Sequence, residues 1–141
     1  MTEAREAAVG EWPRAGAVIY AKDVDRLAGF YSQVLGLIPV ERQGDHTVLE
    51  SLWFQLVLLQ VPAAIAASIA ISSPPTRRSD TAIKPVFFVP SIARVRAEVE
   101  ACGGVMNPER TQWSFRGATV CDGLDPEGNV LQFRESAGEP R

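Results

Sequence analysis

Apolar and polar positions along the chain fall into two copies of one pattern. AVIYAKDVDRLAGFYSQVLGL, from Ala17, and PVFFVPSIARVRAEVEACGG, from Pro85, run in step, with Val18 matched to Val86. Each copy is a short apolar run, a capping residue (Asp23 or Ser91), apolar residues three and four apart, and a glycine stop (Gly36 or Gly103). That succession predicts a strand followed by an amphipathic helix. Each copy then leads into further strand-like runs, so the second half of the chain repeats the first.

In the first copy the strand spans Ala17 to Ala21. Asp23 caps a helix through about Val34 whose apolar face is Val24, Leu27, Ala28, Tyr31, Val34 and Leu35. Strands follow at Leu37 to Arg42, His46 to Ser51 and Trp53 to Val61, with Gly44-Asp45 as a turn. The second copy has a strand at Lys84 to Val89 and a helix burying Ile92, Val95, Val99 and Cys102. Gly103-Gly104 and Asn107-Pro108 read as turns, and strands follow near Gln112 to Ser114, Ala118 to Cys121 and Asn129 to Arg134. The stretch from Asp122 to Asn129 is dense in Gly, Pro, Asp and Asn and reads as a loop.

The organisation this implies is a tail at 1–14, a module at 15–61, a linker or flap at 62–83, a second module at 84–135 and a tail at 136–141. Trp12 is placed to pin the first tail to the surface. Pro62 stops the preceding strand, Ala63 to Ala70 has room for one or two helical turns, and Ser72-Ser73-Pro74-Pro75 forbids regular structure. A connection of this length is either an ordered linker or a flap over a pocket.

Composition narrows the function classes. With 141 residues, each half has about 70, too few for a robust core of its own, so the modules are expected to need each other. Apolar residues at 46% and charged residues at 22% suit a soluble globular protein. No window is apolar and long enough to span a bilayer, and the polar start does not resemble a secretory leader. A net charge of −3, with Arg77-Arg78 the only dense cationic spot, argues against nucleic acid as a partner. Two cysteines without CxxC spacing, Cys102 and Cys121, and a single histidine, His46, make neither a zinc site nor a redox pair. A cytoplasmic protein is the expectation.

FY-x-x-V-L-G-L (Phe30 to Leu37) in the first helix and D-P-E-G-N (Asp125 to Asn129) before the last strand, on a duplicated βαβββ pattern, resemble the vicinal oxygen chelate superfamily. That group includes glyoxalase I, extradiol dioxygenases, fosfomycin-resistance enzymes and bleomycin-resistance binding proteins. The resemblance covers residues 15 to 135. It implies an α+β fold of two tandem βαβββ modules whose mixed sheet forms a cup, and commonly a homodimer.

Catalytic relatives hold a divalent metal through the start of each module's first strand and through each module's last strand. By the resemblance those positions here are Gly16, Lys84, Leu58 and Gln132, none of them a good ligand, so no metal and no other cofactor is expected. Lys84 instead offers an ammonium near Gln132, suited to an anionic oxygen. Alternation adds Arg134 to the face of Gln132, Val18 and Tyr20 to that of Gly16, and Val86 and Phe88 to that of Lys84. Trp113 is placed to cover an aromatic ligand. Glu50 and Asp122 hold matching places, VLES against VCDG, and with Lys84 they are the candidates for moving protons.

The favoured reading is a metal-free protein that binds an aromatic or anionic metabolite or antibiotic. The alternative is a metal-independent lyase or isomerase using Lys84, Glu50 or Asp122. A protein whose cup is filled by its own side chains is a third reading, and a metal-dependent glyoxalase or dioxygenase is the least favoured.

Overall fold

The structure, a computed structural model, describes residues 12–136, so expectations for 1–11 and 137–141 lie outside the described residues. The chain divides after Ile69 into two compact units.

The first unit runs β1 (Ala15–Ala21), α1 (Val24–Leu35), β2 (Ile38–Gln43), β3 (His46–Glu50), β4 (Phe54–Gln60) and the single turn α2 (Ala63–Ala66). Its sheet has the order β1-β4-β3-β2, with β1 parallel to β4 and the other pairs antiparallel. Asp23 starts α1 by accepting the Arg26 N–H at 3.1 Å, and Gly36, at φ 70°, ends it by donating to the Ser32 carbonyl at 2.9 Å. The helix buries Val24, Leu27, Phe30, Tyr31 and Val34, whereas Ala28 and Leu35 are only half-buried. Phe30, beside Tyr31 with ring centroids 5.0 Å apart, belongs to a core face one residue wider than the periodicity alone defines. Against it lie Leu49, Leu56 and Leu58, each at most 1% exposed.

The second unit contains β5 (Val86–Val89), α3 (Ile92–Ala101), β6 (Val105–Met106), a 3₁₀ turn (Glu109–Thr111), β7 (Trp113–Phe115), β8 (Ala118–Leu124) and β9 (Val130–Ser136). The order is β5-β9-β8-β6, with β7 also pairing to β8 and β5 parallel to β9. Ser91 caps α3 by accepting the Arg94 N–H at 3.1 Å. Glu135 adds a second acceptor there, taking the Ile92 N–H at 2.7 Å, so a carboxylate sits at the positive end of the helix. Val95 and Val99 pack with Phe133 and Leu131 in the core, while Cys102, expected inside, closes the helix end half-buried.

Two departures from the expected strands matter for the site. The outer strand beside β8 is broken in two: β6 pairs with Gly123 and Leu124, β7 with Ala118 to Val120, and the interval turns away at Asn107-Pro108. Arg96 holds that interval by donating to the Asn107 carbonyl at 2.6 Å and to Gln112 at 2.9 Å. In the first unit the corresponding strand, β2, is continuous but shifts register between Pro39 and Glu41. Secondly, β8 continues through Leu124, so Asp122 is a strand residue and not part of a loop. Gly123 permits this because β6 pairs closely there: a Cβ at 123 would lie 2.6 Å from Met106 Sδ. The true turn is only Asp125 to Asn129, where Asp125 accepts the N–H groups of Glu127 and Asn129 at 2.8 and 3.1 Å.

Residues 76–78 lie along that turn. Arg78 donates its backbone N–H to the Gly128 carbonyl at 3.1 Å and its Nε to the Glu127 carbonyl at 3.1 Å. Gly128, at φ 85°, has no room for a side chain, since a Cβ would lie 2.2 Å from the Thr76 carbonyl oxygen. Trp12 is 79% exposed, and the rest of the first tail lies outside the described residues.

Candidate functional site

Each sheet has a face turned away from its helix, and the residues proposed as ligand contacts distribute between the two faces according to register. In the first unit Gly16, Val18 and Tyr20 stand on the helix-free face of β1, Val18 and Tyr20 being 52% and 66% exposed. Leu58 does not join them. It pairs with Ile19, points under α1 and is fully buried, so its assignment to a ligand surface is corrected to a core role. The residues of β4 that share the face of Gly16, Val18 and Tyr20 are Gln55, Val57 and Leu59. Gln55 lies opposite Gly16 and donates to Glu50 on β3 at 2.7 Å.

In the second unit the helix-free face is richer. Val86, Gln132 and Asp122 form one row across β5, β9 and β8, and Phe88, Arg134, Val120 and Trp113 form the next across β5, β9, β8 and β7. Lys84 precedes Val86 by two residues. Its Nζ lies 2.8 Å from Asp122 Oδ2, Gln132 Nε2 donates to Asp122 Oδ1 at 3.1 Å, and Arg134 Nε donates to Gln132 Oε1 at 2.8 Å. Four side chains are thus joined head to tail. Asp122 and Gln132 are 7% and 5% exposed, so the middle of this chain is dry while Lys84 keeps water contact, its side chain 37% exposed.

Arg134 is held by two aromatic rings as well as at Nε. Its guanidinium lies 4.9 Å from the Phe115 ring and 5.7 Å from that of Phe88. Phe88, Phe115 and Trp113 are 74%, 46% and 43% exposed. Phe115 escaped the sequence reading because β7 was expected to stop at Ser114. Strand alternation from Trp113 was the signal that could have found it.

Glu50 and Asp122, matched in sequence, do not occupy matching places. The row through Val18 runs to Val57 and Val48, the row through its counterpart Val86 runs to Gln132 and Asp122, and Glu50 with Gln55 lies one row away, level with Gly16. Each acid is held by a glutamine from the next strand. They belong to different units and have different surroundings. Gln55 also escapes the sequence pattern; its signal is an amide one strand after an acid, as Gln132 follows Asp122.

These residues do not fit a divalent metal. Gly16 has no donor atom, Leu58 is apolar and buried, Lys84 is a cation, and the Gln132 carbonyl already accepts from Arg134. Among the described residues no group of three or more His, Cys, Asp and Glu side chains is placed to hold a metal ion. His46 lies at the β2–β3 hairpin, bonded to Asp45 at 2.8 Å and Glu41 at 2.6 Å, and these two carboxylates raise its pKa above 6.5. Neither cysteine is a ready nucleophile: Cys121 is fully buried, and burial, with Glu98 adding to it, pushes the Cys102 thiol up.

Comparison with known proteins places residues 16–133 under the model of a glyoxalase-like domain. A glyoxalase/bleomycin resistance protein/dioxygenase family enzyme from Burkholderia phytofirmans superposes with a TM-score of 0.67. It is 17% identical, the match covering 88% of this chain and 98% of that one. Lactoylglutathione lyase from Agrobacterium tumefaciens gives 0.55 at 21% identity, over 86% and 91% of the two chains. A fosfomycin resistance protein from Listeria monocytogenes gives 0.59 at 12% identity, over 92% and 94%. At these identities the likeness is one of fold. No curated protein matches the chain in sequence.

Proposed function

The chain belongs to the glyoxalase-like domain family, and within it we propose a protein that binds a small organic molecule without a metal ion, on the helix-free face of the second sheet. One observation carries this reading: the Lys84 ammonium, 2.8 Å from Asp122, stands in the position where the family resemblance would put a metal ligand. A fixed cation there repels a divalent ion and attracts an anionic oxygen. Aromatic side chains around a few oriented polar groups have the composition of a small-molecule site.

Proton transfer has less support. Both oxygens of Asp122 are engaged, by Lys84 and by Gln132, and the residue is 7% exposed, so little of it is presented to a substrate. The reading therefore takes the ligand as held and not converted, by a cytoplasmic homodimer with one site per subunit.

The test is a thermal-shift screen of aromatic acids, phosphonates and neutral aromatics, repeated with excess EDTA. Stabilisation that survives the chelator, with the ligand recovered unchanged, is the expected result. Stabilisation that needs Mn²⁺ or Zn²⁺, or a ligand consumed during incubation, overturns it. Lys84→Ala is expected to weaken an anionic ligand, and an unchanged Kd would remove Lys84 from the site.

A further inference from the structure

We infer that Arg134 is the anchor of this site and that its ligand is an organic monocarboxylate with a flat apolar body. The inference rests on the binding reading above and narrows it to a chemical class.

Charge decides the valence. Lys84 and Asp122 neutralise one another, and no ion pair joins Arg134 to a carboxylate among the described residues. The nearest acid in sequence, Glu135, faces the other side of the sheet, where it accepts the Ile92 N–H. The polar chain therefore carries one uncompensated positive charge, which matches a monoanion and leaves a dianion half unpaired.

Geometry decides the shape. Arg134 has committed Nε to Gln132, which is itself buried and held by Asp122, so the guanidinium cannot turn that edge outward. What remains is the edge carrying Nη1 and Nη2, two parallel N–H donors spaced for the two oxygens of one carboxylate. Phe88 and Phe115 both contact the guanidinium, which reduces the freedom lost when a ligand binds. The same two rings, with Trp113, expose apolar surface around the cation, and a ligand's flat body can cover it.

The test uses the full chain and three probes of one shape, 2-naphthoate, its neutral amide 2-naphthamide, and 2-naphthyl phosphate, followed by calorimetry. Naphthoate is expected to bind about tenfold or more tightly than naphthamide, the scale of a charge-assisted hydrogen-bonded pair. Naphthoate is also expected to outbind the phosphate. Arg134→Gln is expected to abolish the preference over the amide, with Arg134→Lys restoring only part of it. Phe115→Leu, a substitution on exposed surface, is expected to loosen the clamp and weaken naphthoate by a few-fold; it keeps the test available if Arg134→Gln does not fold. Equal affinity for naphthoate and naphthamide overturns the carboxylate anchor while leaving a small-molecule site intact. Preference for the phosphate overturns the monoanion. No binding by any probe at millimolar concentration overturns both readings together.

Discussion

Glu50 with Gln55 in the first unit, and Asp122 with Gln132 in the second, are the same device: a strand carboxylate accepting from the amide of the next strand. What differs is its surroundings. In the first unit the neighbours on that face are glycine, valine and tyrosine. In the second the device is extended at one end by Lys84 and at the other by Arg134. The two links lie one row apart, since Val48 and Val57 of the first unit stand where Asp122 and Gln132 stand in the second. Each copy thus carries a polar link at its own place, only one is charged, and the capacity to hold an anion belongs to that copy.

The largest effect that tests this contrast comes from the core. Leu58→Ala is expected to cost about 2–5 kcal/mol in chemical denaturation, as for a buried leucine with no room to collapse, while leaving affinity for an anionic ligand unchanged. A loss below about 1 kcal/mol, or a weakened ligand at full stability, would return Leu58 to the ligand-facing side.

Asp122→Asn and Glu50→Gln then separate the two links. Removing the charge at 122 leaves Lys84 and Arg134 unbalanced and is expected to cost about 1–3 kcal/mol, toward the lower end because Lys84 is partly in water. Glu50→Gln keeps an acceptor for Gln55 and is expected to cost less than about 1 kcal/mol. Equal losses in urea titrations would mean that Lys84 adds nothing to the second link.

Gly123→Ala pushes a methyl against Met106 and the Val105 carbonyl, and is expected to cost about 1–3 kcal/mol. Gly44→Ala, in the hairpin of the first unit where nothing lies within 4 Å, is expected to stay within about 0.5 kcal/mol. Thermal melts of the two variants rank them.

The smallest effect is titration of His46. Its folded pKa is raised above 6.5 by Asp45 and Glu41, so the support it gives the hairpin is fully present below pH 6.5 and is lost as pH rises through the folded value. His46→Gln should flatten that part of the stability–pH profile, and an NMR titration placing the imidazole at or below 6.5 would contradict the bridging geometry.

How much of this was legible in the chain follows from the physics of each signal. Helices and their caps were readable because Asp23 and Ser91 act on N–H groups three residues away, within the same segment. The duplicated order of elements was readable because apolar period is a local property. The face of Leu58 was not: a strand of seven residues such as β4, apolar on both sides at Leu56, Val57, Leu58 and Leu59, carries no internal mark of which side meets the helix. Lys84, Gln132 and Arg134 were found one by one, yet their linkage through Asp122 was hidden, because Gly123 beside it reads as a turn until the close pairing of β6 explains it.

The irregular outer strands, β2 with its shift beside Pro39 and the pair β6 and β7 split at Asn107-Pro108, also bear on the protein's behaviour in a crowded solution. A long regular strand at such a border offers an unbroken row of amide and carbonyl groups to any neighbouring chain, the first step toward fibrils. Here Pro39 lacks a donor and β2 shifts register beside it, while the other border is split between β6 and β7. Both copies of the duplication thus discourage molecules from joining strand to strand along these borders, a property on which handling at high concentration depends.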